Sequence, residues 1–248
     1  MGEALAVSGI SRSFDGFQAI RSVSFSVRPG TINAIIGPNG AGKTTLFNLI
    51  TGLDAVDEGE IAFEGKSITA VPAAQRCRMG IGRSFQRTNI FPSLTVFQNV
   101  QAAIVSHRNN IWRFWRGIGD SFRAEATDLL AAVGLHDRID AVASSLAHGD
   151  RKQLDLAVAL ALEPRLLLLD EPTAGMSVVE TERCIALIER LARERDLVLL
   201  FTEHDMKAVF AIADRILVMH HGEIIADGAP EDVKANPLVR ATYLGESA

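Results

Sequence analysis

The sequence predicts an α/β fold with a mainly parallel sheet, and three observations point to it. Residues 166 to 169 are four leucines, followed at once by Asp170 and Glu171. A central strand of a parallel sheet is covered by helices on both faces, so it reads as a continuous apolar run and does not alternate. After Arg151 such runs ("LLLL", "LVLLFT", "RILVM") take turns with helical patterns, among them "VETERCIALIERLARER", which is the order of strand–helix–strand units. The third observation is "GPNGAGKTT", Gly37 to Thr45, set between an apolar strand and a helical pattern.

From the N-terminus, Val23, Phe25 and Val27 alternate with Ser22, Ser24 and Ser26, and "RPG" then leads into "TINAIIG". This reads as a hairpin with one buried face. Together with the alternation restored at Ile61 and Phe63, it predicts an N-terminal antiparallel β subdomain. "KTTLFNLITG" continues as a helix with Leu46, Leu49 and Ile50 on one side and Gly52 at its stop. From Thr95 to about Gly134 the apolar spacing is helical, through "TVFQNVQAAIV" and "FRAEATDLLAAVG". The stretch between them, "SHRNNIWRFWRGIGDS", carries no structural signal. "HHGEIIADG" reads as a final hairpin before a short helical tail. No internal repeat or low-complexity linker interrupts the chain. The expectation is one domain over residues 1–248, with a helical insertion subdomain at about 87–160 and a C-terminal tail at about 229–248.

Composition narrows the function. A chain of 248 residues can bury a substantial core, and 48% hydrophobic with 22% charged residues is ordinary for a globular protein. The formal net charge of -5 gives no global basic field, so no nucleic-acid partner is expected. Cys77 and Cys184 belong to no C-x-x-C or Cys/His cluster, which suggests buried free thiols. Neither a signal-peptide pattern nor 18 uninterrupted apolar residues are found, so the expected setting is reducing and cytoplasmic.

"GPNGAGKTT" matches G-x-x-x-x-G-K-[ST] in the strand-loop-helix context that the motif demands, and it marks a P-loop NTPase core. Gly37, Asn39, Gly40, Ala41 and Gly42 let backbone N–H groups close around phosphate oxygens, and the helix N-terminus adds partial positive charge. Lys43 reaches the β and γ phosphates, Thr44 offers a hydroxyl to Mg²⁺, and Thr45 opens the helix. The leucine strand now has a reason to end in acids. In P-loop NTPases an acid at the end of a second buried strand holds the Mg²⁺ that bridges the phosphates, which assigns Asp170 to the metal. Side chains alternate along a strand, so Glu171 cannot share that duty unless the chain bends, and it is better placed to orient the attacking water.

With these residues the chain resembles the ATP-binding cassette family over nearly its whole length. The motifs come in the family's order: "GPNGAGKTT", the Gln of "SFQRT", a signature-like "LAHGD", "LLLLDEP", "AGMS" and the His of "TEHD". The resemblance implies ATP and Mg²⁺ as cofactors. It implies that Gln86 contacts Mg²⁺ and the water and senses the membrane partner, and that His204 holds the γ-phosphate. It also implies that Phe14 stacks on adenine, a role for which Phe17 competes, and that Ala174 to Ser177 cross to a second subunit. The family signature is usually Leu-Ser-Gly-Gly-Gln, whereas this chain has Leu146, Ala147, His148, Gly149 and Asp150. Ala147 lacks a hydroxyl for the γ-phosphate of the opposite subunit, although Gly149 and helix N-terminal amides can still present N–H groups. Asp150 adds a nearby negative charge. His148 is open to a pH-sensing role or to plain packing.

A nucleotide-binding domain without membrane segments implies partners: a second ATPase subunit placed head to tail, transmembrane permease subunits and, indirectly, a substrate-binding protein. "AGMS", "EHDM" and "NPLVRATYLGES" resemble the ATPases of branched-chain amino acid importers, with urea and short-chain amide importers in the same sub-branch. The expected function is ATP hydrolysis that powers such an importer, peripheral on the inner face of the cell membrane. The alternative is a soluble, non-transport cassette ATPase acting on nucleic acid or ribosomes. Within the insertion, Trp112 and Trp115 are spaced to share a helix face, and permease docking, core packing and lipid contact all stand open for them.

Overall fold

The computed structural model of the protein describes residues 2–84, 90–108 and 122–244. Among these, β1 (Leu5–Phe14), β2 (Phe17–Val27), β4 (Glu58–Phe63) and β5 (Lys66–Ser67) make an antiparallel sheet in the order β2-β1-β4-β5. A second sheet holds β3 (Ile32–Ile36), β6 (Ile81–Ser84), β7 (Leu166–Asp170), β8 (Val198–Thr202), β9 (Arg215–His220) and β10 (Glu223–Gly228), in the order β10-β9-β3-β8-β7-β6. All its pairings are parallel except the β9–β10 hairpin.

One expectation is corrected. "TINAII" does not fold back on the preceding strand. β2 pairs with β1 in the antiparallel sheet, whereas β3 lies between β8 and β9 in the other. The burial patterns give the reason. β2 alternates from Ser22 onward in the manner of a one-faced strand, but all five residues of β3 are buried. Ile32, Ala34 and Ile36 pack on one side of the sheet and Ile35 on the other. Such a strand needs partners on both edges and cover on both faces. Arg28, Pro29 and Gly30 therefore carry the chain between sheets, with Gly30 at φ 66, a left-handed value natural to glycine.

The parallel sheet thus divides two cores. On one face Leu166, Leu168, Val198 and Leu200 join α1 (Lys43–Thr51) and the antiparallel sheet. On the other, Leu167, Leu169, Leu199 and Phe201 meet the helices of the second half. These include α3 (Val96–His107), α4 (Arg123–Ala132), α5 (His148–Leu160) and α6 (Val178–Glu194), with α2 (Ala73–Arg78) near the edge strand β6. α1 stops at Gly52 in the left-handed conformation, as its sequence suggests. α3 starts at a capping box of Thr95 with Gln98, and α6 at one of Ser177 with Glu180. α7 (Met206–Ile212) follows β8. The tail consists of α8 (Pro230–Ala235), α9 (Pro237–Val239) and a π-helical turn, Arg240–Leu244. Cys184 is buried, and that burial raises its thiol to about 11, while Cys77 is half-buried; both are free. No described helix is long and apolar enough to cross a membrane. Gln86, Trp112 and Trp115 lie outside the described residues.

Candidate nucleotide site

The loop after β3 is shaped by close backbone approaches. A Cβ on Gly37 would sit 2.2 Å from the carbonyl oxygen of Met219, and one on Gly42 would sit 2.8 Å from that of Ala19. Both residues have positive φ, 152° and 103°, so glycine is needed on steric and conformational grounds together. Ala41 is buried, and Asn39 and Gly40 form the exposed tip. Lys43 opens α1 with its side chain folded back over the loop, its Nζ donating to the carbonyl oxygens of Gly37 at 2.7 Å and Pro38 at 3.0 Å. Burial pushes the Lys43 ammonium below the ordinary lysine range, and the carboxylates of Glu171 and Asp170 oppose that shift. Those two acids therefore stand within electrostatic reach of the loop. Gly42 caps α1 without a side-chain bond, and the first turn holds no acid. Its amides keep the partial positive charge that favours an anion. Thr44 is exposed and Thr45 half-buried just behind it.

Asp170 and Glu171 part company at the end of β7. Asp170 is 3% exposed; its Oδ2 receives Arg83 Nη2 at 3.0 Å and its Oδ1 the hydroxyl of Thr202 at 2.8 Å. The chain then bends, since Glu171 has φ 50, in the left-handed region that few non-glycine residues enter. That bend turns the Glu171 carboxylate toward the end of β8, where Oε1 lies 2.7 Å from Nε2 of His204. An ionised carboxylate only accepts hydrogen bonds, so Nε2–H is the donor. The two carboxylates face different partners, Asp170 meeting Arg83 and Thr202 and Glu171 meeting His204.

The signature-like segment forms the first turn of α5. Its N-cap, Ala147, makes no side-chain bond, so the serine hydroxyl the family uses there has no substitute. Asp150 sits in that first turn, a position where the helix dipole favours a carboxylate. His148 is exposed, with Nε2 at 3.0 Å from the carbonyl oxygen of Ala174. Of the two readings left open, the structure gives it a local tie to the 174–177 loop. Gly149 lies beside Glu180, whose carboxyl is held below the usual range by the Ser177 hydroxyl and N–H. Phe14 and Phe17 face each other across the β1–β2 turn, exposed by 38% and 65%. The guanidinium of Arg12 lies 4.7 Å from the Phe14 ring centre and is bound to Asp57, which also accepts from Ser13 N. Phe14 is thereby held with one face covered, while Phe17 is freer.

Three residues escaped the sequence analysis. Arg83 is one, and nothing around it in "IGRSF" signals that it meets Asp170. The others are Thr202 and Glu203, which end β8 much as Asp170 and Glu171 end β7. An apolar run halting at polar residues is a signal that could have found them.

A family model described as ABC transporter matches residues 20–174. One described as Branched-chain amino acid ATP-binding cassette transporter matches residues 223–248. The high-affinity branched-chain amino acid transport ATP-binding protein LivG of Salmonella typhimurium is 38% identical, with 98% of each chain covered. BraF of Pseudomonas aeruginosa, described in the same terms, is 37% identical over the same shares. Among solved structures, the ADP conformation of MJ1267, an ATP-binding cassette of an ABC transporter, superposes with a TM-score of 0.87 at 31% identity, covering 99% of this chain and 100% of that one.

Proposed function

The chain belongs to the ABC transporter family, and on that premise we propose that it is the ATP-hydrolysing subunit of an importer for branched-chain amino acids. It binds ATP and works with transmembrane permease subunits. The observation that carries the catalytic part is the convergence of Lys43, Asp170, Glu171 and His204 at the carboxyl ends of adjacent parallel strands, where open α/β sheets bind ligands. The match at residues 223–248 and the LivG and BraF relatives support the substrate class. Residues 1–248 are read as one nucleotide-binding domain with an insertion at about 87–160 and a tail at about 229–248.

In this reading the β and γ phosphates lie on the amides of Asn39 to Thr45, and Lys43 exchanges the carbonyl oxygens of Gly37 and Pro38 for phosphate oxygens. The donor chemistry suits Mg²⁺, a hard cation that takes one or two carboxylates, a hydroxyl and substrate phosphates. Asp170 supplies a carboxylate whose oxygens each keep a free lone pair beside Arg83 and Thr202, and Thr44 supplies an exposed hydroxyl. A bound Mg²⁺ would supply charge neutralisation at the β and γ phosphates. Gln86 is assigned to the same metal and to the water. Glu171 orients and deprotonates the attacking water, and His204 fixes Glu171 and meets the γ-phosphate. Phe14 stacks on adenine. Ala147, His148 and Gly149 contact the ATP of a second subunit in a head-to-tail pair, into which Ala174 to Ser177 cross. A substrate-binding protein delivers the cargo, and the chain sits on the inner face of the membrane.

A non-transport ATPase acting on nucleic acid or ribosomes is less well supported, since the net charge is -5 and the relatives above are transport proteins. The test is uptake of radiolabelled leucine into proteoliposomes holding this chain with its permease. ATP-driven uptake that vanishes with Glu171→Gln supports the reading. Association of the purified chain with ribosomes, and no uptake, overturns it.

A further inference from the structure

We propose that Glu203, to which none of the motif readings gives a role, is the positioning residue that holds Glu171 in its bent conformation and so sets its contact with His204. The inference rests on the reading of Glu171 and His204 given above. It starts from a backbone count. Between Glu171 and Thr173 the chain has only two N–H groups, because Pro172 has none. Both go to the end of β8. The N–H of Glu171 is shared between the carbonyl and hydroxyl oxygens of Thr202 at 3.2 and 3.0 Å. The N–H of Thr173 donates to Oε1 of Glu203 at 2.9 Å, and the Thr173 hydroxyl donates to the same oxygen at 2.7 Å. The other oxygen, Oε2, receives the N–H of His204 at 3.2 Å. One carboxylate therefore joins the loop that carries Glu171 to the backbone of His204.

Two further facts make that link more than local decoration. Glu171 has φ 50, a conformation a non-glycine residue keeps only when its surroundings over-determine it. Thr202 constrains the bend from its first residue, and Glu203 from the residue two places on. Glu203 is also 3% exposed, so water cannot take over bonds that its removal would leave unmade. Sharing the same buried environment is Lys152 of the signature helix, since both charges act on the Cys184 thiol with opposite sign. Charge and hydrogen bonding must therefore be separated in any test.

Glu203→Gln keeps an oxygen for Thr173 but loses the charge and the acceptor for the His204 N–H; Glu203→Leu keeps the bulk and loses the charge and every acceptor. Steady-state ATP hydrolysis and equilibrium ATP binding are measured on the full chain for the parent, both variants and Glu171→Gln. The expected result is a kcat for Glu203→Leu reduced about 30-fold with ATP affinity within about threefold, because misplacement of a reacting group costs rate and not ground-state binding. Glu203→Gln is expected within about threefold of the parent. Thr173→Val, which removes only the hydroxyl, provides a second test should Glu203→Leu fail to fold, with kcat lowered about threefold to tenfold and affinity kept. Parent-like kcat in Thr173→Val and Glu203→Leu, affinity that falls in step with kcat, or a Gln variant as slow as the Leu variant each overturns the proposal. A parent that neither binds nor hydrolyses ATP would instead bring down the reading of the site itself.

Discussion

The Nε2 of His204 lies 2.7 Å from the Oε1 of Glu171, across the gap between two neighbouring strands. Glu171→Gln keeps the shape but removes the base, so hydrolysis should fall by about 10²-fold or more while ATP stays bound. Phosphate release and size-exclusion chromatography with Mg-ATP check this. The variant should run as a dimer, and a monomer or a parent-like rate contradicts the assignment.

Asp170→Asn should behave differently. Asp170 and Arg83 form an ion pair whose side chains are 3% and 6% exposed, so removing the negative partner breaks a buried charge pair. The expected loss is about 3 kcal/mol, or roughly 6–12 °C in melting temperature for a chain of this size, together with loss of Mg²⁺-dependent nucleotide binding. Differential scanning calorimetry separates the two acids, because the Glu171 side chain is 18% exposed and that of Asp170 3%. Equal thermal effects would undo the division of labour between them.

The adenine face offers a cleaner choice than sequence allowed. Arg12 and Asp57 hold Phe14, whereas Phe17 is 65% exposed at the turn. A pre-positioned ring loses less entropy on stacking. Phe14→Ala should weaken ATP binding by about tenfold, within the range of base–aromatic stacking, and Phe17→Ala by under about twofold. Titration with a fluorescent ATP analogue gives both numbers, and the reverse order moves the role to Phe17.

Asp214 tests the frame beneath the site. It accepts both Nη atoms of Arg193 and the N–H of Ile32, tying the end of α6 to the start of β3. Burial alone would raise its pKa; the Arg193 guanidinium and the Ile32 amide prevail and hold it below the ordinary value of 3.8. A lowered folded-state pKa means stability that is fully present above 3.8 and lost as pH falls through the lowered value. Asp214→Asn should therefore cost about 1 kcal/mol at pH 7, screening by solvent included, and the gap from the parent should narrow as pH falls below 3.8. Urea unfolding at neutral and at acid pH reads this directly, and a pH-independent gap refutes it.

Much of the fold and the site was legible because its signals are local. Leucine runs mark strands covered on both faces, and "GPNGAGKTT" specifies a strand–loop–helix turn by its own spacing. Thr95 with Gln98 and Ser177 with Glu180 cap helices within four residues of chain. Each of these is set by neighbours in sequence, so pattern and spacing suffice to read it.

What sequence by itself determined, then, is which segments are strands and helices and which residues are candidates to hold a nucleotide. The tertiary structure decided which segments meet. "TINAII" reads as a strand from its own residues, but an apolar run carries no mark of its pairing partner, and burial on both faces sent it to the centre of the parallel sheet. Arg83 reaches Asp170 across 87 residues, and Glu203 reaches Thr173 across 30. The left-handed bend at Glu171 follows from those long-range bonds, because no local preference of a glutamate favours it.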